Sequence, residues 1–215
     1  MDIEEIHSAV EWAKSLTGDG VSVSKEKYGD QSSVLRLNLL TDTFFLKIGK
    51  GLAMERDRLE WLEKKVSVPR VIGYTEIDGH EALLLSAIEG KNLAELKKEW
   101  SAEKVVDALV IALKRFHSVN VKDFPFGVAG AGKVLVHGDA CLPNFLFAED
   151  GRFGYVDVGG TAVDDVEADF SAAIWSLHYN LGPGYGAMFL KRYGIGNVAD
   201  EYVETLRLRY EDKQD

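Results

Sequence analysis

The pattern of apolar residues changes character near Glu89-Gly90-Lys91, and this change restricts the fold more than any other feature of the chain. Before it, strand-like runs dominate, at 21–28, 33–40, 43–48, 70–77 and 81–88. Turn-prone stretches such as Gly29-Asp30-Gln31-Ser32, Thr41-Asp42 and Asp78-Gly79 separate them. Two helical patterns interrupt this region. Residues 3–17 carry Ile3, Ile6, Val10, Trp12 and Leu16 at roughly helical spacing, with Gly18 and Gly20 as the stop. Residues 52–65 form an amphipathic pattern with Met54, Leu59, Trp61 and Leu62 inward and Pro69 beyond the end. After Lys91 the pattern is helical, at 92–98, 101–119, 164–180, 184–193 and 198–210, with Ser101 as a cap. Strands first and helices afterwards predict an α+β chain of two lobes. Residues 1–89 are expected to form a five-stranded antiparallel sheet with one helix inserted after the third strand. Residues 90–215 are expected to form a mainly helical lobe.

Inside the helical half, residues 137–160 stand apart. Asp139, Asn144 and Asp157 punctuate an otherwise apolar stretch, and two apolar arms flank Asp150-Gly151, a hairpin signal. Folding the arms about the midpoint between Asp150 and Gly151 puts Asn144 opposite Asp157, with Asp139 on the loop before them. Taken singly, such residues are ordinary caps and turn formers. Together, a carboxylate on a loop beside an Asn and a second carboxylate at a strand end describe a Mg²⁺ site with a base next to it.

Composition narrows the function classes. The chain has 215 residues, 46% hydrophobic and 28% charged, which is ordinary for a soluble protein. Its net charge of −10 argues against a nucleic-acid partner, because phosphate-tracking surfaces need clustered Lys and Arg. The same charge suits a cationic substrate, or solubility alone. There is no apolar run of membrane-spanning length, and Met1-Asp2-Ile3-Glu4-Glu5 is too acidic for a secretory signal. A single cysteine, Cys141, excludes an internal disulfide and points to a reducing, cytoplasmic setting. It reads as a small packing residue.

His137-Gly138-Asp139 with Asn144 five residues on, followed by the hairpin and Asp157-Val158-Gly159, resembles the catalytic and metal-binding segments of the protein-kinase-like fold. It is similar in particular to the aminoglycoside phosphotransferase family, above all the 3′-phosphotransferases, whose catalytic loop reads His-Gly-Asp where protein kinases have His-Arg-Asp. The resemblance spans about residues 28–193. It implies an ATP- and Mg²⁺-dependent phosphotransferase that moves the γ-phosphate to a hydroxyl of a small, cationic molecule, a kanamycin-like aminoglycoside at its 3′-hydroxyl. Homoserine, choline or a sugar are alternative acceptors, and a nucleotide-binding module without turnover is another reading. No membrane partner is expected, and the enzyme would be a monomer or homodimer.

The resemblance also assigns roles. Asp139 would accept the acceptor's proton, and Asn144 and Asp157 would hold Mg²⁺. Lys47 would reach the nucleotide phosphates, oriented by Glu55 rather than by Glu60. The loop 29–33, with Ser32, would cover the phosphates, and the backbones of Ser86 and Ile88 would bond adenine. Asp169 would tie down the catalytic loop, and His117 would be packed or hydrogen-bonded. Asp165 matches an acidic position, with Asp164, Glu167, Glu211 and Asp212 as further candidates for a polyamine. Read without the family, Lys47 is equally an edge-facing solvated lysine, 29–33 an ordinary turn, and Trp175 a core residue.

Three features depart from the pattern or distract from it. The 3′-phosphotransferases carry several dozen more residues before His-Gly-Asp, whereas here His117 and His137 are twenty positions apart. The Arg that follows Asp-x-Gly in the family is Gly160. Finally, Gly127 to Lys133 matches most of a phosphate-binding loop, but residue 134 is Val and a strand-like run follows, so it reads as a connector.

Overall fold

The computed structural model describes residues 3–18, 20–25, 32–77, 79–127 and 133–211. The chain divides into two units, Met1–Ile88 and Glu89–Asp215. The fold is α+β.

In the first unit, β1 (Ser22–Lys25), β2 (Ser32–Asn38), β3 (Thr43–Gly49), β4 (Val71–Ile77) and β5 (His80–Ser86) form one antiparallel sheet in the order β1-β2-β3-β5-β4. Side chains alternate between the faces of a strand. Leu35 and Leu37, Leu46 and Ile48, and Ala82 and Leu84 therefore share one face, which is buried with Ala9, Val10 and Ala13 of α1 (Ile3–Thr17). The helix lies close enough that a Cβ at Gly73 would come within 2.6 Å of Leu16. Among its described residues the unit contains both expected helices, α1 and α2 (Leu52–Leu62), which pack on the sheet.

The same alternation sends Lys47, between Leu46 and Ile48, to the opposite face. There α2 packs through Leu52, Glu55, Leu59 and Leu62, spaced three or four residues apart. Met54 falls outside that stripe and is exposed, contrary to expectation, and Trp61 is only half-buried. The start of α2 is fixed from across the sheet. Glu81 accepts the amides of Leu52 at 2.7 Å and Ala53 at 3.1 Å, and the Tyr74 hydroxyl at 2.7 Å. Burial alone would raise the Glu81 carboxyl, but these bonds outweigh it and hold it below the usual carboxylate range.

The second unit begins with β6 (Lys91–Asn92) and a one-turn helix, α3 (Leu93–Leu96), closed by a capping box between Asn92 and Glu95. The expected helix over 92–98 is thus shorter, because Lys91 and Asn92 pair with Phe147 and Leu146. Helix α4 (Ala102–His117) is capped by Ser101, whose Oγ accepts the Lys104 amide. It buries Val105, Val106, Leu109, Leu113 and Phe116, each such side chain contributing about 1.5–3 kcal/mol. Then come β7 (Val134–Val136), β8 (Phe145–Phe147), β9 (Phe153–Tyr155) and β10 (Ala162–Asp164). Helices α5 (Glu167–Leu181), α6 (Tyr185–Tyr193) and α7 (Asp200–Glu211) complete the unit. Strand β10 was not anticipated: it pairs with β7, and α5 accordingly starts at Glu167 rather than at Asp164. Lys133 is exposed and leads into a strand, as a connector would; residues 128–132 lie outside the described residues.

The hairpin has a different register from the expected one. Phe145 pairs with Tyr155 and Phe147 with Phe153, so Asn144 faces Val156, whose amide bonds its carbonyl at 3.1 Å. The connection has three residues, Glu149-Asp150-Gly151. Ala148 donates to the Arg152 carbonyl, Gly151 donates to the Ala148 carbonyl, and Gly151 has φ +86°. A turn followed by a left-handed glycine is the standard three-residue solution, and it shifts the register relative to a two-residue turn.

Candidate active site

In the first unit, Lys47 and Glu55 meet. The Lys47 Nζ lies 2.7 Å from Glu55 Oε1, and both are nearly buried, 9% and 7% exposed. Glu60 is exposed, away from this pairing. Ser32 opens β2, while residues 29–31 of the expected phosphate loop lie outside the described residues. The Ser86 amide donates to the Arg70 carbonyl at 2.9 Å, and its Oγ accepts the Arg70 amide. The Ser86 amide is therefore engaged with Arg70, which leaves its carbonyl as the backbone group it can offer adenine. Ile88 is half-buried beyond β5.

The second unit gathers the 137–160 residues around a buried carboxylate. Asp169, on the first turn of α5 and 0% exposed, accepts the His137 amide at 2.7 Å, the Gly138 amide at 2.9 Å and His117 Nε2 at 2.9 Å. Burial would raise this carboxyl, but His117 and the neighbouring donors prevail and depress it. His117 is held in turn by the Tyr193 hydroxyl, 2.7 Å from Nδ1. His137 is locked as well. Its Nε2 lies 3.0 Å from the Val156 carbonyl and must carry the proton, which leaves Nδ1 to accept the Asp139 amide at 3.3 Å. Gly138 has φ +87°, and a Cβ there would overlap the Gly160 carbonyl. Only glycine satisfies both requirements.

This frame delivers Asp139 with both oxygens engaged. Asn144 Nδ2 donates to Oδ2 at 2.8 Å and to the Asp139 carbonyl at 2.9 Å. The Tyr210 hydroxyl, near the end of α7, donates to Oδ1 at 2.7 Å. Because Nδ2 is directed at Asp139, the Asn144 Oδ1 is left for another partner. Asn144 closes the short 3₁₀ turn Leu142–Asn144, anchored where the Leu142 amide meets Ser176 Oγ at 2.9 Å. Asp157 is the lone non-glycine residue with positive φ among the described residues, at φ 56° and ψ 46°, and is exposed. Asp tolerates this conformation better than most residues, and its presence here is a small strain held by the surrounding loop. Cys141 is buried as expected, packed against α5, with its thiol pushed up by burial.

Other residues fall outside this cluster. Asp165 is exposed and caps α5: its Oδ1 accepts the Glu167 amide at 3.0 Å and its carbonyl accepts that of Ala168. Glu167 is bonded to Tyr202 and Arg209, and Glu211 to Arg207. Asp212 lies outside the described residues. Trp175 is not a core residue. It is half-exposed, stacked at 5.4 Å on Tyr179 and tilted at 5.3 Å on Tyr210. Sequence reasoning missed Tyr210, Tyr193 and Ser176, none of which sits in a local motif.

Comparison with known proteins gives this geometry a context. The profile of the phosphotransferase enzyme family matches residues 30–132 and 128–206. An aminoglycoside 3′-phosphotransferase of Escherichia coli is 25% identical, over 86% of this chain and 84% of its own. The crystal structure of an aminoglycoside-3′-phosphotransferase of type VIII superposes with a TM-score of 0.76 at 21% identity, over 96% of this chain and 98% of the other. The aminoglycoside phosphotransferase APH(3″)-Id of Streptomyces rimosus, solved with ADP and streptomycin, does so with 0.75 at 18% identity, over 96% and 97%. Among the described residues no helix is long and apolar enough to cross a membrane. The chain belongs to the phosphotransferase enzyme family and is an ATP-dependent phosphotransferase of small molecules.

Proposed function

We propose that this enzyme moves the γ-phosphoryl group of ATP to a hydroxyl of an aminoglycoside, the 3′-hydroxyl of a kanamycin-like molecule. The observation that carries the reading is the Asp139 carboxylate, presented by a rigid loop and bonded by neutral donors, in a chain similar along most of its length to aminoglycoside 3′-phosphotransferases. Asp139 takes the acceptor's proton as its oxygen bonds the γ-phosphorus and the bond to the β-phosphate oxygen breaks, releasing ADP. Met1–Ile88 serves as the nucleotide-binding lobe. Lys47, held by Glu55, binds the phosphates, with Ser32 nearby in sequence and the 86–88 backbone serving adenine.

The donor set fits Mg²⁺, which takes one or two protein oxygens plus phosphates. Asn144 has its Oδ1 left over and Asp157 is an exposed carboxylate at the end of the same hairpin. The pair would hold the metal, which when bound neutralises charge on the phosphate oxygens. Asp165, exposed at the start of α5, is the acidic residue offered to a cationic acceptor.

One observation favours a second, less cationic acceptor. Glu167 and Glu211 are already paired with arginines, and the side chains around Tyr210 are aromatic. The test is mass spectrometry of kanamycin, homoserine and choline after incubation with Mg-ATP. A gain of one phosphate on kanamycin, absent with Asp139→Asn, is the expected result. A gain only on another alcohol replaces the substrate, and a fully active Asp139→Asn overturns the mechanism.

A further inference from the structure

Tyr210 bonds the one carboxylate on which the proposed chemistry depends. Its hydroxyl lies 2.7 Å from Asp139 Oδ1, while Asn144 holds Oδ2, so Oδ1 is the oxygen through which a proton would be taken. Burial pushes the phenol well above its ordinary range, so it is a donor at neutral pH. The contact is not a loose surface encounter. Helix α7 is set on α5 by the buried Leu206, by Tyr202 to Glu167 at 2.6 Å and by Arg209 to Glu167 at 2.9 Å. The Tyr210 ring leans on Trp175, and Cys141 Sγ lies 3.3 Å from its hydroxyl.

An acceptor alcohol must also present a hydroxyl to this carboxylate. Both hydroxyls cannot donate to Oδ1 along the same direction. Resting on the phosphotransferase reading of Asp139, we infer that Tyr210 is a specificity-determining residue whose hydroxyl stands in for the acceptor's. In the absence of acceptor it occupies the base and keeps water from being activated there. A productive acceptor is an alcohol that displaces it, with the rest of the molecule lying against Tyr179, which stacks on Trp175. Tyr179 is 76% exposed, so its ring is open to a ligand, and a sugar ring offers the C–H face that stacks on it.

The experiment compares the wild type with Tyr210→Phe, which keeps the ring on Trp175 and removes only the hydroxyl. ADP release from Mg-ATP without acceptor should rise several-fold. With kanamycin, or the alcohol that gains phosphate in the panel above, the acceptor KM should fall by about tenfold, the value of one hydrogen bond to a charged group, with kcat undiminished. Tyr210→Leu should release ADP at a similarly raised rate. Asp139→Asn should abolish the gain in either background. Unchanged ADP release and unchanged KM in Tyr210→Phe, with acceptor phosphorylation intact, would overturn the inference and leave the phosphotransferase mechanism standing. Loss of kcat at constant KM would also overturn it, since Tyr210 would then hold the base throughout the reaction. Phosphate found on Tyr210 itself would overturn it too, making the hydroxyl an acceptor. An Asp139→Asn enzyme as active as the wild type would remove the reading on which it rests.

Discussion

The two units hold the charged residues of the proposed site in opposite ways. In the first, a cation is held by an anion: Lys47 meets Glu55, on a helix whose start is pinned by Glu81. In the second, the carboxylates Asp169 and Asp139 are held by backbone amides, a histidine, an asparagine and a tyrosine hydroxyl. The difference suits the roles proposed for each group. A charge matched by its opposite is geometrically fixed but electrically satisfied. A carboxylate held by neutral dipoles is fixed yet retains most of its charge for a proton or a metal ion. Orientation by neutral donors is thus the arrangement a base requires, and orientation by a counter-ion suits a group that only binds.

The largest effect should come from neutralising the retained charge. Asp139→Asn preserves shape and should lower kcat by roughly 10²–10⁴-fold with little change in either KM; an effect on KM alone would erase the contrast. Next is the buried hub. Asp169→Asn turns an amide N–H₂ toward incoming donors and should cost about 3 kcal/mol or more, read as a urea midpoint. Its pH dependence sharpens the point. The folded carboxyl is depressed, so its contribution is present above the unfolded value of about 3.9 and is lost as pH falls through the folded value. The gap between wild type and Asp169→Asn should therefore narrow as the pH falls below about 4.

The ion pair should respond differently. Glu55→Gln removes the Glu55 charge from beside a nearly buried ammonium and should cost up to about 3 kcal/mol, whereas the double variant Lys47→Met, Glu55→Leu should regain most of that stability and no activity. Recovery of activity in the double variant would show that the pair is structural. The smallest effect belongs to the hairpin. Gly151→Ala, at φ +86° in open space, should cost about 1 kcal/mol and leave kcat unchanged, because the turn lies at the far end of the strands from Asn144.

These residues also show what could be read in advance. Period-two and period-three-or-four patterns located the strands of the sheet and most helices, while the pairing of Lys47 with Glu55 was legible through the family resemblance. The His-Gly-Asp segment and its hairpin were legible because they are contiguous. The register was not, since one residue in the turn separates Asn144 opposite Asp157 from Asn144 opposite Val156, and composition does not distinguish the two. Met54 was misplaced because an apolar residue two positions off a helical stripe looks like part of it. Strand β10 is three residues long and exists only through its pairing with β7. Tyr210 was invisible for a deeper reason. Seventy-one residues separate it from Asp139, and a tyrosine in a charged helix carries no sign of what it touches.

The overlap that a side chain at Gly138 would have with the Gly160 carbonyl has a mechanical consequence. The two loops of the proposed site, one carrying Asp139 and the other Asp157, approach backbone to backbone at Gly138 and Gly160 with no side chain between them to act as a spring. Thermal displacement of one loop is thereby transmitted directly to the other, so the separation of the two carboxylates should fluctuate less than either does against the rest of the molecule. The pair should move as a single jaw of fixed gauge.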